Sequence, residues 1–317
     1  MIAHRPVMVA EIVSLLRPAP DGIYVDATTG EGGHAEAILT AAAPHGRLIG
    51  LDRDPEILAL AQERLTPFGA RCRLLAGDYR ELLPSLPEHG VDRVQGILVD
   101  LGLSSHHLNQ PDRGFSFRSE GPLDMRFDRS QGQTAANLIG RLPEAELCQL
   151  LQREGEERWA KRIARAIVTQ RRLGPITTTQ QLAALVERAV PPPARWGRIH
   201  PATRTFQSLR IAVNQELDGL DEALEQAWGR LAPDGTLCVL AYHSLEDRVV
   251  KQRFRAWASE GRAQLLTRRP LRPTPEEVAA NPRARSAKLR AMRRADGAPP
   301  KTRKRAYAKH REPGDGA

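Results

Sequence analysis

GIYVDATTGEGGHAEAILTAAA, residues 22–43, decides the fold. A short apolar run closes on Asp26, a glycine-rich turn follows, and from His34 onward the residues carry helical spacing. Glycines at such a turn let a ligand approach the backbone closely, and the helix N-terminus beyond it favours anionic groups. Gly30-x-Gly32-x-x-Ala35 also satisfies the GxGxxG/A pattern of dinucleotide-binding turns. Alone it is a weak signal, since the same string also reads as a tight strand–helix turn.

Working outward, the unit repeats. GRLIGLDRD (46–54), CRLLAGD (72–78) and VQGILVDLG (94–102) each read as a buried strand ending on a polar residue. PEILALAQERL (55–65) is helical between the first two of these, with Pro55 suited to a first helical turn. Strand–helix alternation predicts a parallel sheet with crossover helices, an α/β fold. GTLCVLAYHS (235–244) reads as a fifth strand after the turn signal PDG. AQLLTRRPL (263–271) and ARSAKLRAM (284–292) read as two more, flanking a short helical piece, PEEVAAN.

More than a hundred residues separate Leu101 from Gly235, too many for a loop. Helical patterns fill the interval at 144–152, 157–173 and 178–190, with threonines 177–179 as candidate caps. The expectation is a discontinuous domain (1–105 and 216–296) interrupted by a helical insert (106–215), with the returning helix inside 203–231. The basic stretch 297–317 is expected to be disordered in isolation.

The 317 residues carry a formal net charge of +9. Residues 248–317 hold 20 Lys/Arg against 6 Asp/Glu, so the remainder is mildly acidic. A basic C-terminal quarter points to a polyanion partner, or else to a solubilising tail. Hydrophobic residues at 41% exclude disorder of the whole chain. Cys72, Cys148 and Cys238 form no CxxC or CxxH pattern, which argues against a disulfide framework or a zinc site. No metal is expected. Glu11 interrupts the N-terminal apolar stretch, and no uncharged run approaches the ~18 residues of a membrane span. A cytoplasmic protein without membrane contact is the expectation.

Asp52 closes the second strand 22 residues after Gly30, where an acid would accept both ribose hydroxyls. Asp78-Tyr79 follows the third strand, placed to edge-bind and cover an adenine, and Asp100 ends the fourth. The carboxyl edge of an open α/β sheet is where ligands bind. Acids at the start of the Gly loop (Asp26) and after strand four suit S-adenosylmethionine, a zwitterion with a sulfonium, better than the pyrophosphate of NAD.

Several longer strings together resemble one family, the bacterial 16S rRNA (cytosine-N4) methyltransferases known as RsmH, formerly MraW. They include HRPVMVAEIV (4–13), TGEGGHAEAIL (29–39), LDRDPEIL (51–58), VDLGLSSHHL (99–108) and DRGFSFRSEGPLDMRFD (112–128). HPATRTFQSLRIAVNQEL (200–217), YHSLEDRVVK (242–251) and NPRARSAKLR (281–290) complete the set. The resemblance implies a class I, Rossmann-like, S-adenosylmethionine-dependent methyltransferase with a helical insert between strands four and five. It implies methylation of cytidine N4 in the decoding centre, the P-site region, of 16S rRNA in the small ribosomal subunit. Cofactor contacts carried over are Gly32, Gly33, His34, Asp52, Tyr79, Asp100 and His107. Tyr79 stands where phenylalanine is common in the family, and His107 where glutamine is.

An exocyclic amine needs an acceptor for its developing ammonium proton. Asp100 is the candidate acceptor. Tyr242, placed to stack on a flipped cytosine, and His243 and Ser244, placed to bond its edge, are further catalytic candidates; these three belong to a cluster after strand five that reads equally as a helix N-terminus capped by Ser244. In 112–128, Arg113, Arg118 and Arg126 interleave with Phe115, Phe117 and Phe127. That suits RNA contact, or an ordered loop packed on the insert. Arg204, Arg210, Arg285 and Lys288 are further RNA candidates. Competing readings are a non-catalytic RNA-binding factor and a NAD-dependent oxidoreductase. Whether the protein is a monomer or a homodimer stays open.

Overall fold

A computed structural model of the chain describes residues 6–197 and 199–295. Its centre is one seven-stranded sheet. The strands are β1 (Ile23–Asp26), β2 (Arg47–Asp52), β3 (Cys72–Ala76), β4 (Val94–Asp100), β5 (Leu231–Ala241), β6 (Ala263–Leu265) and β7 (Lys288–Arg294). Their spatial order is β3-β2-β1-β4-β5-β7-β6. β1 to β5 run parallel, and β7 is antiparallel to both β5 and β6. Winding reverses between β1 and β4, so their carboxyl ends open the crevice where such sheets bind ligands.

The strands are continuous apolar runs because helices cover both faces. Val25, Leu51, Ile97 and Val99 pack in one cluster with Leu224, Phe254 and Trp257. Tyr24, Leu48 and Leu98 pack on the opposite side with Ile38, Leu39 and Leu65. The second cluster also takes Ile12 and Leu16 from an N-terminal helix, Val9–Leu16, which the sequence reading had not singled out. Helix Pro55–Leu65 begins as expected, with Pro55 in its first turn and the Asp54 carboxylate accepting from Glu56 N and Ile57 N.

Differences from expectation have local causes. β5 starts at Leu231, ahead of the PDG turn signal, because that turn is a bulge inside the strand. The pairing slips between Val94↔Leu231 and Gly96↔Thr236, and Asp234 takes a left-handed φ of 59°. β6 ends at Leu265, before the Arg268-Arg269-Pro270 run; beyond it Leu271 makes one isolated bridge to Leu289. β7 starts at Lys288 because Pro282 opens a 3-10 turn, Pro282–Ser286. Helix Pro275–Ala280 lies where PEEVAAN was expected.

Between β4 and β5 lie the helices Ala135–Arg141, Glu144–Gly155, Ala160–Leu173, Thr179–Ala189 and Thr203–Asn214. They enclose their own apolar cluster, including Leu151, Ile163, Ile167, Leu182, Val186 and Leu209. Each such side chain contributes about 1.5–3 kcal/mol by leaving water, so the helices hold one another. Thr178 caps its helix in a capping box with Gln181. The return to the sheet uses a separate helix, Leu220–Arg230, because Gln215 turns left-handed at φ 52° after Asn214. No helix among the described residues is long and apolar enough to cross a membrane. The basic tail 297–317 lies outside the described residues.

Candidate active site

One cavity opens at the carboxyl ends of β1, β2 and β4. Its walls include Gly30, Gly33, His34, Asp52, Tyr79, Asp100, His107 and Tyr242. The turn after β1 is shaped by two left-handed glycines, Gly30 at φ 54° and Gly32 at φ 81°. A Cβ on Gly32 would also lie 3.2 Å from Leu65, so the loop can pass only as glycine. Asp52 fixes this loop from the neighbouring strand: Gly30 N donates to Oδ2 at 2.8 Å and Asp54 N to Oδ1 at 2.9 Å. Each carboxylate oxygen keeps a second lone pair for ribose hydroxyls.

Deeper in the cleft, His34 Nε2 stands 3.5 Å from Asp100 Oδ2. Asp100 is held by its own backbone N–H, which donates to Thr28 Oγ1 at 2.6 Å. Both ring nitrogens of His34, Oδ2 of Asp26 and Oδ1 of Asp100 are buried without a hydrogen-bond partner. Buried polar atoms are nearly always satisfied, so the two carboxylate oxygens are built for a donor or a cation from outside the chain, and the imidazole for a polar group beside it. S-adenosylmethionine fits, with two ribose hydroxyls, an ammonium and a sulfonium.

Burial pushes Asp26 up to about 7 and Asp52 up to about 6. A carboxyl whose folded pKa is raised stabilises the free protein at low pH and loses that contribution as pH rises through the folded value. Bound cationic and hydroxyl groups favour the ionised forms. Cofactor affinity therefore rises between pH 5.5 and 8, and the cofactor raises Tm more at pH 8 than at pH 5.5. Calorimetry across this window checks it; a flat or falling affinity contradicts it.

Other expected contacts need correction. Asp78 is taken by Arg80, its carboxylate receiving both the backbone N and the guanidinium, and is unavailable to edge-bind an adenine. Tyr79 keeps its place on the wall. His107 also lines the cavity, but both its nitrogens are engaged: Nε2 lies 2.8 Å from Asp54 Oδ2, and Nδ1 accepts from Ser104 N at 3.3 Å. Only its carbon edge is open to a cofactor.

Arg113 is 1% exposed, so it cannot meet RNA. Its guanidinium donates to Asp54 Oδ2 at 2.7 Å, Glu56 Oε2 at 2.8 Å and the Phe127 carbonyl at 2.7 Å. Burial would raise Asp54, yet hydrogen bonds from His107 and Arg113 bring it down to about 2. Phe115 is buried as well, stacked with Phe127 and against the His107 ring. The loop thus packs inward and clamps the insertion to the helix after β2. Arg126, Arg210 and Lys288 are internal braces too, on Asp124, Glu216 and Asp247. Arg118, Arg204 and Arg285 are exposed.

Of the catalytic candidates, Asp100 and Tyr242 face the cavity. Burial first, then the charge of the Asp100 carboxylate, holds the Tyr242 phenol well above its ordinary pKa. His243, not Ser244, caps helix Ser244–Ser259, accepting from Glu246 N. Ser244 Oγ donates instead to Glu156 of the insertion at 2.8 Å. Glu216 lines the cavity unforeseen, beside Glu246 of the cluster after β5, with polar atoms of Glu216, His243 and Glu246 within 4.8 Å of one another.

An open parallel sheet with an antiparallel seventh strand, a glycine turn after β1 and carboxylates at the ends of β1, β2 and β4 define a class: S-adenosylmethionine-dependent methyltransferases. Within that class, the MraW methylase family matches residues 1–295, and the chain belongs to it. The protein called ribosomal RNA small subunit methyltransferase H in Geobacter sp. (strain M21) is 48% identical, over 91% of this chain and 97% of its own. Its namesake in Geobacter sulfurreducens is 50% identical, over 91% and 98%. Among solved structures, a putative rRNA-methylase from Clostridium thermocellum aligns with a TM-score of 0.44 at 11% identity, over 92% of this chain and 100% of that one. That likeness is too loose to bear on function.

Proposed function

We propose that this protein methylates N4 of a cytidine in the decoding centre of 16S rRNA, with the small ribosomal subunit or its RNA as substrate. The observation that carries the reading is the pair Asp100–Tyr242, facing the cavity beside the unpartnered atoms of Asp26 and His34. It is supported by relatives named for small-subunit rRNA methylation along almost their whole length.

When bound, S-adenosylmethionine supplies an electrophilic methyl: the C–S bond breaks, sulfur keeps the electron pair, and a C–N bond forms to the amine. The protein's part is positioning and charge. Asp100 accepts a hydrogen bond from the N4 amino group, which draws the lone pair out of conjugation and receives the proton released after transfer. Tyr242, whose phenol feels the Asp100 carboxylate, positions that side chain and closes one wall against Gly102, where a Cβ would lie 2.8 Å from the ring. Holding amine and methyl at near-attack distance supplies much of the remaining acceleration. We assign the insertion, 106–215, to substrate recognition.

Tyr242→Phe removes the orienting hydroxyl while keeping the ring. Expected is a fall in kcat of roughly tenfold, with the RNA KM changing less than threefold, since about 1.4 kcal/mol of interaction between the phenol and the Asp100 carboxylate is lost. Unchanged kcat would detach Tyr242 from the chemistry. The function itself is tested by transfer of a labelled methyl from S-adenosylmethionine to small subunits lacking the modification. Label in the protein-free or heat-killed control alone would sink the reading.

A further inference from the structure

With Arg113, Arg126 and Arg210 turned inward, the insertion needs another surface to meet a polyanion. The link between helices Thr179–Ala189 and Thr203–Asn214 reads VPPPARWGRIHPA, residues 190–202. Pro191, Pro192 and Pro193 restrict the backbone of its first half, and its 3-10 turn, Pro192–Trp196, ends on the tryptophan. Trp196 is 88% exposed and Ile199 56% exposed, whereas Trp257 is fully buried and Trp159 and Trp228 pack partly against apolar cores. A rigid link holding an indole in water is a poor use of apolar surface for folding alone.

Its surroundings are cationic. Residues 187–204 hold four arginines and one acid, Glu187. The Arg195 guanidinium is steadied by the carbonyls of Val190 (3.3 Å) and Arg188 (3.2 Å), contacts that leave its charge unneutralised. Phe117 packs tilted against His200 with centroids 4.5 Å apart and meets Phe206 edge-on at 4.9 Å, which fastens the link beside exposed Arg118. Unlike Arg126 and Arg165, which pair with Asp124 and Glu144, Arg118 and Arg195 have no carboxylate partner among the described residues.

We propose that Trp196 is a stacking anchor for an unpaired RNA base, with Arg195 and Arg118 contacting the adjoining phosphates. An aromatic face between unneutralised arginines is the chemistry that holds single-stranded RNA, since each base offers a π-face and each linkage a charge. Duplex bases are already stacked and offer no face to an indole. The proposal rests on the rRNA reading for its substrate, but its test reads binding and not methyl transfer.

The probe is a single-stranded oligoribonucleotide spanning the decoding-centre cytidine, with the full-length protein. Trp196→Ala is expected to weaken its binding roughly 5- to 100-fold at fixed salt, and Trp196→Phe to retain most of it. Arg195→Ala should reduce the slope of log affinity against log salt by about 0.7, one phosphate's share for a single strand. S-adenosylmethionine affinity stays unchanged in all three. Ultraviolet crosslinking of the wild-type protein to the same RNA should place nucleotide on the peptide containing Trp196, which decides the matter even if a variant misfolds. Wild-type RNA affinity in Trp196→Ala, or crosslinks confined to other peptides, overturns the proposal. So does a change of sedimentation in Trp196→Ala with RNA affinity intact, which would give the indole to a second copy. Failure of the wild type to methylate RNA while these binding results hold would sink the function alone.

Discussion

Asp100→Ala is expected to cut kcat by roughly 10²–10⁴-fold, the span associated with losing a positioned proton acceptor. Asp100 stands at the carboxyl end of β4, with one oxygen 3.5 Å from His34 and the other buried without a partner. Removing it takes away the acceptor for the amine and the anchor of Tyr242 together. Asp52→Ala should behave differently. Asp52 is fixed by Gly30 N and Asp54 N on the far side of the glycine turn, away from Tyr242. Its loss should raise the KM for S-adenosylmethionine about 10- to 100-fold, as expected for charge-assisted hydrogen bonds worth about 1.5–3 kcal/mol, and leave kcat within threefold. Steady-state kinetics with both substrates varied separate the two. Equal effects of the two variants on kcat would contradict the division between cofactor carboxylate and catalytic carboxylate.

Arg113→Met is expected to be the most destabilising single change outside the apolar cores. Asp54 is 1% exposed and held down at about 2 by His107 and Arg113. Breaking such a buried pair from one side costs about 3–5 kcal/mol, because the other charge stays behind. In a chain of this size that lowers Tm by roughly 10 °C. Lysine should rescue little, since a single ammonium cannot reach Asp54, Glu56 and the Phe127 carbonyl at once. Adding Asp54→Asn to Arg113→Met should restore part of the loss, a coupling that thermal melts of the four proteins would measure. If Arg113→Met melted like the wild type and only RNA binding suffered, the inward clamp would be wrong.

What could be read from the sequence, and what could not, follows from the range of each interaction. The strands were legible because helices bury both faces, which leaves runs such as Ile97–Leu98–Val99 with no polar residue among them. Asp52 and Asp100 were legible because the carboxyl edge of an open α/β sheet is where ligands bind, and the parallel sheet followed from the alternation of elements, whereas the strand order and the antiparallel β7 did not. Arg113 was not. Its partner lies 59 residues away, across the junction of insertion and sheet, and nothing local separates a buried arginine from an RNA-facing one. The interleaved Phe115 and Phe127 misled for the same reason: they stack on each other rather than on bases.

Capping shows the limit at shorter range. SLED signals a helix start, and the helix does begin at Ser244, but the cap is His243 because the Glu246 carboxylate reaches back to Tyr242 N and His243 N. That frees Ser244 to bridge to Glu156. The PDG signal likewise marked a real turn but not a strand boundary, since β5 carries it as a bulge and resumes its pairing with β4 beyond it. Glu216 reaches the cavity only because the chain turns left-handed at Gln215, a conformation that glutamine does not advertise. Of the basic residues placed by the structure, several brace the fold, and others, Arg118, Arg204 and Arg285 among them, are exposed.

The most direct measurement is nucleoside mass spectrometry of 16S rRNA from unmodified small subunits, incubated with the purified protein and S-adenosylmethionine. The account predicts one added methyl per RNA, recovered as N4-methylcytidine in a decoding-centre fragment and absent with the Asp100→Ala protein. A methyl on another base or atom, or N4-methylcytidine formed equally by Asp100→Ala, would contradict it.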